Sequence, residues 1–316
     1  MGMILPLLYL GVGFGLAMLL PERWGNRLKE SASALLTRWI IPTVIVYIVA
    51  TSRPELFFMA ASTMVLMAFL VRCAAFFTND PVQRLAFVYL NAGIFGIPVV
   101  ASFWGEEAVR LYVGAYIGNS VMGNILGTSL MRRETNIDGL TNSRVEPTHK
   151  AAVVLRSLLT NRPVIAVVIG LICLPAGPFL NAHAAGIYRL ITWVFSFVGL
   201  VVLGMWLSTA RLHRADLTRA ARWATLRVVL VSVYSVGILT AAHWMHTHTG
   251  VHLDQLQAHP QVLFILGVLP PAANIVILET HYRHEGTAAP IIASGAVVSL
   301  GMIALAVPIL QLIFAR

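Results

Sequence analysis

Long apolar runs alternate with short polar stretches along almost the whole chain. A helix needs about 20 consecutive apolar residues to cross the hydrocarbon core of a bilayer, so each run predicts a transmembrane helix. One polar stretch, 131–150, is longer than the others and divides the runs five and five. The ten predicted spans are residues 3–20, 33–50, 55–72, 84–103, 109–130, 160–178, 187–209, 223–244, 261–280 and 287–313.

This pattern predicts an all-α polytopic membrane protein made of two five-helix halves. The first half is 1–130, a linker covers 131–159, and the second half is 160–316. Because each half has an odd number of spans, the second half must lie upside down relative to the first. That topology is an inverted repeat, which is common in secondary transporters. Weak internal echoes accompany it, such as "LTRW" at 36–39 before span two and "LITW" at 190–193 before span seven.

The composition excludes a soluble globular domain. The 316 residues are 58% hydrophobic and 11% charged, whereas soluble domains are about 25% charged. The net charge of +9 would suit nucleic acid, but the basic residues are scattered between apolar segments, so the lipid bilayer is the expected partner and nucleic acid is not. The two cysteines, Cys73 and Cys173, form no disulfide framework or zinc motif.

The distribution of Lys and Arg predicts the orientation in the membrane. Sixteen basic residues lie in the loops after odd-numbered spans, and four lie in the termini and the loops after even-numbered spans. The positive-inside rule therefore predicts a cytoplasmic linker and two outer termini, in the inner (plasma) membrane of the cell. The sixteen are Arg23, Arg27, Lys29, Arg72, Arg84, Arg132, Arg133, Arg144, Lys150, Arg156, Arg162, Arg211, Arg214, Arg219, Arg222 and Arg283.

Spans four and nine, the fourth members of their halves, contain residues that break helices. Span four includes "LNAGIFGIPV" (90–99), and span nine includes "LFILGVLPPAANIVIL" (263–278). In a helix interior, proline costs about 3 kcal/mol and glycine about 1 kcal/mol relative to alanine. Discontinuous helices at matching positions of two halves indicate a transporter binding site. The residues predicted to bind substrate are Asn91, Gly93, Gly96 and Pro98 in span four and Pro270, Pro271 and Asn274 in span nine.

The chemistry expected at these breaks is anion binding. Proline favours the first turn of a helix, so Pro98 and the pair Pro270 and Pro271 are expected to mark the N-termini of restarting half-helices. Such ends carry partial positive charge and N–H donors, which would form an anion site without a basic side chain. Two alternatives stay open. A proline or glycine in a membrane helix often marks only a kink or a packing contact, and each asparagine could cap the opposing helix.

Two polar residues of span five, Asn119 and Ser120, are further candidates for substrate binding. Carboxylates are almost absent from the spans, which argues against cation antiport. A sodium site built from backbone carbonyls and small polar side chains stays open, although such side chains often serve helix packing instead. The side chains available for it are Asn119, Ser120, Asn124, Ser294 and Ser299.

A histidine-rich stretch, "HWMHTHTGVHLDQLQAH" (243–259), is predicted to form an outer loop. Histidine and aspartate at this density are compatible with zinc or copper, but their spacing matches no closed metal site. The sequence therefore predicts no metal and no cofactor.

These segments carry a resemblance. "NAGIFGIPVVASFWGEEAVRLYVGAYIGNSVMGN" (91–124) resembles the fourth and fifth spans of the auxin efflux carrier family, which includes plant PIN-FORMED carriers and bacterial malonate and malate permeases. Bacterial members show an Asn/Gly run ending in Gly-hydrophobic-Pro and then a Gly-Glu loop, here Asn91 to Pro98 and Gly105-Glu106. "LPPAANIVILETHY" (269–282) resembles the ninth span of the family, but the Asn-Pro-Asn crossover of the plant carriers is absent.

The resemblance implies the fold of bile-acid symporters and sodium/proton antiporters. Spans three to five and eight to ten would form a transport domain with crossed helices four and nine, and spans one, two, six and seven a scaffold that is often dimeric. The implied function is secondary transport of a small organic anion, such as malonate, malate or an auxin-like acid, by alternating access. The alternatives are a sodium-coupled symporter of the same fold and a membrane enzyme or sensor; no nucleophile–base pair or metal motif supports an enzyme.

Overall fold

The computed structural model describes residues 4–51, 55–135, 162–208, 213–249, 253–283 and 287–314. Within these ranges the chain is helical, with one isolated backbone bridge and no strand. The predicted linker 131–159 lies outside the described residues from 136 onward.

The helices are α1 (Ile4–Leu19), α2 (Glu22–Ala50, with a π turn at Leu36–Ile40), α3 (Glu55–Ala74), α4 (Pro81–Val88), α5 (Ile97–Thr135), α6 (Arg162–Ile172), α7 (Gly177–His183), α8 (Ala185–Ser208), α9 (Arg214–Thr249), α10 (Asp254–Ala258), α11 (Gln261–Phe264), α12 (Asn274–Tyr282) and α13 (Ala288–Ile313). A π turn, Ala92–Gly96, precedes α5, and two 3₁₀ turns, Leu174–Ala176 and Ile265–Val268, precede α7 and follow α11.

Five helices of the described chain are long and apolar enough to cross a membrane: α2, α3, the first part of α8, α9 and α13. The bent pair formed by α6 with the segment Leu174–His183 makes a sixth if it counts as one broken span. Large apolar side chains are exposed on these helices, for example Phe69, Val233 and Leu305, of which Leu305 is 70% exposed. Such a surface needs lipid around it, so the fold is that of an all-α, multi-pass membrane protein.

Several helix ends differ from the predicted spans. Helix α2 begins at Glu22 rather than at 33, and α9 covers Arg214–Thr249 rather than 223–244. Hydropathy falls where the polar residues begin, but the backbone continues through them because polar residues at a membrane surface also form helix. The prediction of an outer loop over 243–259 was therefore wrong in its first part, because His243, His246 and His248 lie on α9.

One predicted span is bent, and a glycine turn joins two others. The predicted span 160–178 bends by 60° after Ile172, where Pro175 and Pro178 remove two backbone donors. Within α5, Gly105 has a φ of 79°, a left-handed conformation that favours glycine. Gly105 lies between the predicted spans four and five, so it forms the turn between them.

Four helix pairs form the principal packing of the protein: α3 with α5, α1 with α8, the second half of α2 with α6, and α9 with α13. The α3–α5 contact brings backbones together at two glycines. A Cβ on Gly114 would lie 2.3 Å from the carbonyl oxygen of Leu56, and one on Gly118 would lie 2.2 Å from that of Ala60. Only glycine permits this distance, so α5 is held tightly against α3.

Glu279, near the end of α12, holds the start of α13. Its side chain is fully buried. Its Oε1 accepts hydrogen bonds from the backbone N–H of Thr287 (2.9 Å) and from the Thr287 hydroxyl, and its Oε2 accepts from Ala288 N (2.9 Å). The carboxylate thus satisfies donors that the first turn of a helix leaves without intrahelical partners.

Replacing Glu279 with alanine should lower the stability of the protein, because buried N–H groups would lose their acceptor. Each unsatisfied buried donor costs about 1–3 kcal/mol. Thermal unfolding of the purified protein in detergent measures the effect, with Glu22→Ala, at an exposed glutamate of α2, as the matched control. Equal melting temperatures for both variants would contradict the capping role of Glu279.

Candidate functional site

The two predicted breaks are real interruptions of helix. In the first, α4 ends at Val88, and the chain is extended before the π turn Ala92–Gly96 and α5. In the second, the 3₁₀ turn Ile265–Val268 ends in an extended Leu269, and helix resumes at Asn274. Each break therefore removes backbone groups from helical hydrogen bonding.

The two breaks satisfy each other. Leu90 of the first and Pro271 of the second form an antiparallel bridge. Backbone groups in an apolar environment must find partners within the protein, and here the partner of each break is the other. The two hydrogen bonds run from Asn91 N to Pro270 O (2.8 Å) and from Ala272 N to Tyr89 O (2.9 Å).

Asn119, on α5, supports the first break from the side. It is 1% exposed. Its Oδ1 accepts a hydrogen bond from Leu90 N (3.1 Å), and its Nδ2 donates to Leu90 O (2.8 Å). An asparagine amide has one acceptor and one donor group that can be used in this way, so Asn119 replaces both lost helical bonds of Leu90.

A cavity of about 420 Å³ lies against both restarting helices. The first turn of a helix presents N–H groups without intrahelical acceptors and carries partial positive charge. Two helix starts border one space here, and their partial positive charge favours an anion. In α12 two of the first N–H groups, those of Ile275 and Val276, already donate to Ala272 O (3.2 Å) and Ala273 O (3.1 Å). The cavity is lined by Thr37, Ile41, Tyr89, Leu90, Asn91, Ala92, Gly93, Ile94, Tyr116, Asn119, Ser120, Asn124, Arg162, Pro163, Ala272, Ala273 and Asn274.

Two asparagines stand at the starts of these helices. Asn91 precedes the π turn, is half-buried, and its side chain makes no capping hydrogen bond to the turn. Asn274 is the first residue of α12, and its Nδ2 donates to the Tyr89 hydroxyl (3.2 Å). Among the described residues, neither asparagine side chain caps a helix of the opposing break, and Asn91 borders the cavity.

Five of the nine predicted site residues line this cavity, and four do not. The five are Asn91, Gly93, Asn119, Ser120 and Asn274, and the four are Gly96, Pro98, Pro270 and Pro271.

The four residues that do not line the cavity have packing or backbone roles. A Cβ on Gly96 would lie 1.8 Å from the Tyr112 hydroxyl, which donates a hydrogen bond to Ala92 O (3.1 Å). Pro98 packs against Gly199 of α8, and Pro271 packs against Gly295 of α13. These contacts fix the breaks in place and leave the cavity to their neighbours.

The prediction that the prolines mark the starts of the half-helices agrees with the start of α5 at Ile97, where Pro98 is the second residue, but a π turn precedes α5, and at the second break helix resumes only at Asn274. Pro98 lies after the π turn, six positions beyond Ala92, and Pro271 lies in the extended segment before Asn274. A proline lacks the N–H that a helix one turn earlier needs and crowds that turn. The π turn Ala92–Gly96 lies at that position, and such turns often occur where helices serve a function.

The mouth of the cavity carries a basic side chain. Arg162, exposed at the start of α6, lines the cavity together with Pro163 and with Thr37 of α2. The expectation of an anion site with no basic side chain therefore holds only for the inner part. The sequence reasoning counted Arg162 as a topological charge and did not consider it for the site.

A second arginine near the breaks was not predicted from the sequence. Arg227 of α9 is 3% exposed. Its Nε donates to Gly267 O (2.9 Å), and its Nη2 donates to Leu269 O. The available signal was a lone arginine inside the predicted span 223–244, since a charge within a membrane span is costly and usually functional.

No family model and no curated protein matches this chain.

Asn119→Ala should destabilise the protein, because it leaves the N–H and C=O of Leu90 buried without partners at about 1–3 kcal/mol each. The measurement is thermal unfolding in detergent. Ser120→Ala, at the next residue and on the same cavity, is the control and should change the melting temperature little. A melting temperature unchanged by Asn119→Ala would mean that the break at Leu90 does not depend on this side chain.

Proposed function

We propose that this protein is a secondary transporter that moves a small organic anion, a carboxylate such as malonate, malate or an auxin-like acid, across the membrane by alternating access. One observation carries the proposal: the first turns of two interrupted helices border one cavity, with asparagines at both starts. N–H donors and helix dipoles of this kind favour a carboxylate over a cation. A water takes about 30 Å³ in the liquid, so 420 Å³ holds a small acid with part of its hydration shell.

The packing of the helices supports the proposed inverted repeat of five and five. In an inverted repeat, span one corresponds to span six, span two to seven, and so on through five and ten. The contact between spans one and seven (α1 with α8) therefore corresponds to the contact between spans six and two (α6 with α2). In the same way, the contact between spans three and five (α3 with α5) corresponds to the contact between spans eight and ten (α9 with α13). The bridge between Leu90 and Pro271 joins spans four and nine, which correspond to each other. Ten spans with crossed helices four and nine account for all of these contacts.

The same contacts favour two bodies. One, the proposed scaffold, is spans one, two, six and seven, and the other, the proposed transport domain, is spans three to five and eight to ten. This division and the motifs at 91–124 and 269–282 are the reasons for proposing membership of the auxin efflux carrier family. A second copy of the chain, bound through the scaffold helices, is the proposed partner.

The proposed state faces the cytoplasm. Thr37 and Arg162 lie near the starts of predicted spans two and six, on the side where the basic loops cluster. By the positive-inside rule that side is cytoplasmic, which puts both termini outside in the inner (plasma) membrane.

The binding test uses Asn91→Asp. Aspartate is a favourable residue before a helix start, so the variant should melt at or above the temperature of the unmodified protein. Its negative charge would repel a bound carboxylate, and affinity should fall by about tenfold or more, equivalent to about 1.4 kcal/mol. Binding of malonate, malate and indole-3-acetate to the purified protein is measured by calorimetry and by thermal stabilisation.

Asn79→Asp, at an exposed asparagine away from the cavity, is the matched control and should bind normally. The proposed function fails if none of a broad set of carboxylates binds the unmodified protein, and the proposed site fails if Asn91→Asp binds them as well as Asn79→Asp does.

A second experiment compares two arginines that differ in their distance from the cavity. Arg162 lines the mouth, whereas Arg38, one residue after Thr37, is exposed and does not line it. Charges at the mouth of a cleft raise association rates and lose their effect in salt. Arg162→Gln should therefore slow carboxylate association several-fold at low ionic strength, and Arg38→Gln should leave it nearly unchanged. Stopped-flow binding measures both, and equal rates for the two variants would argue against entry past Arg162.

A further inference from the structure

Arg227 places a permanent positive charge at the carbonyl side of the second break. Gly267 and Leu269, whose carbonyl oxygens accept its hydrogen bonds, lie at the end of the first half of predicted span nine. The C-terminal end of a helix segment carries partial negative charge and carbonyls without intrahelical donors. A guanidinium stays protonated in proteins, so these carbonyls have a cation bound to them at every physiological pH.

In transporters with broken helices, carbonyls at this position have a known role in ion binding. Unwound carbonyls and half-helix C-terminal ends are where such proteins coordinate a coupling sodium ion or proton. Here two of those oxygens are already occupied by Nε and Nη2 of Arg227. The guanidinium therefore stands where a mobile cation would otherwise be held.

Among the residues that the structure describes, Arg227 forms no ion pair. Asp216 and Arg219, of opposite charge, line the same small cavity as Arg227, and the ion pairs Arg110–Glu106, Arg110–Glu107 and Arg283–Asp80 lie elsewhere. A buried charge without a counter-charge is costly. Two residues after Leu269 the chain reaches Pro271, which bridges to Leu90 at the cavity. The uncompensated charge thus adds to the positive potential that the two helix starts already direct at that cavity.

We propose that Arg227 is a built-in cation that takes the place of a coupling sodium ion, so that the anion binds at the break cavity without sodium. This proposal rests on the proposed function, since it concerns binding at the same cavity. The proposal favours an organic-anion carrier that does not need sodium over a sodium-coupled symporter of the same fold.

The first measurement uses the unmodified protein. Carboxylate affinity should agree within about twofold in sodium chloride and in choline chloride of the same ionic strength, because choline is too large for a carbonyl site. Without any carboxylate, the melting temperature should also be equal in the two salts. Affinity that requires sodium, or a sodium-specific rise in the melting temperature, would overturn the proposal.

The second measurement uses Arg227→Ala, with Arg222→Ala, at an exposed arginine of the same helix, as control. Removing the guanidinium should weaken carboxylate binding by about tenfold or more, as for loss of a charge-assisted hydrogen-bonded group, and Arg222→Ala should not. A cavity of about 60 Å³, lined by Trp223, Pro271 and Ser294, borders Arg227. Methylguanidinium added at millimolar concentration can therefore fill the vacated position and should restore both the melting temperature and binding, whereas methylammonium should not.

The outcomes are separable. Arg227→Ala that binds carboxylates normally at an unchanged melting temperature would overturn the proposal. If Arg227→Ala does not fold even with methylguanidinium, the salt comparison on the unmodified protein still decides. If the unmodified protein binds no carboxylate in either salt, the proposed function fails, while the comparison of melting temperatures in sodium and choline still tests the built-in cation by itself.

Discussion

The need to satisfy every backbone polar group away from water is the constraint on which this site depends. An interrupted helix in apolar surroundings leaves N–H and C=O groups that cost several kcal/mol each if unpaired. Asn91 N and Tyr89 O of one break are paired with Pro270 O and Ala272 N of the other. Neither interruption could exist alone, so the two breaks have to form together and in one register. That mutual dependence fixes the position of one break relative to the other.

Side chains bind the free carbonyl oxygens of the breaks more completely than the N–H groups at the helix starts. Asn119 binds both backbone groups of Leu90, and Arg227 covers the carbonyls of Gly267 and Leu269. The amide side differs, because the starts at Ala92 and Asn274 border the cavity, although Ile275 N and Val276 N of the second start already donate to Ala272 O and Ala273 O. Partial negative charge is thus covered and partial positive charge is left open. This asymmetry is the physical basis for proposing an anion, rather than a cation, as the ligand.

The sequence was sufficient to find the breaks because glycine and proline are costly in helix interiors and therefore mark interruptions directly. It also identified Asn91 and Asn274 beside them. It predicted Pro98 within the first turn of α5 but not the π turn Ala92–Gly96 before it. It could not place the second helix start at Asn274, because Pro271 is held in an extended segment by its bridge to Leu90, a contact distant in sequence. The bidentate role of Asn119 depends on a contact 29 positions away in sequence, which no local pattern encodes.

The arginines were misjudged for a related reason. Counting basic residues treats each one as a marker of topology, and that count depends on which loop a residue occupies rather than on what its side chain touches. Arg162 belongs to such a loop in sequence but lines the cavity in space. Arg227 lies in no loop and so contributed nothing to the count. Both required the fold before their partners could be identified.

The cavity is lined by residues from both of the proposed groups of helices, the scaffold and the transport domain, and this placement suggests how it would open and close. Arg227 ties the second break to α9, and α9 packs against α13, so break and helices belong to one group. The opposite wall, with Thr37, Ile41 and Pro163, comes from α2 and α6, which pack together in the other group. A ligand held by the helix starts would therefore be bound by one group and enclosed by the other. In the proposed transport cycle, sliding of one group past the other would change the exposure of the cavity without breaking the hydrogen bonds that join the two interruptions, as alternating access requires.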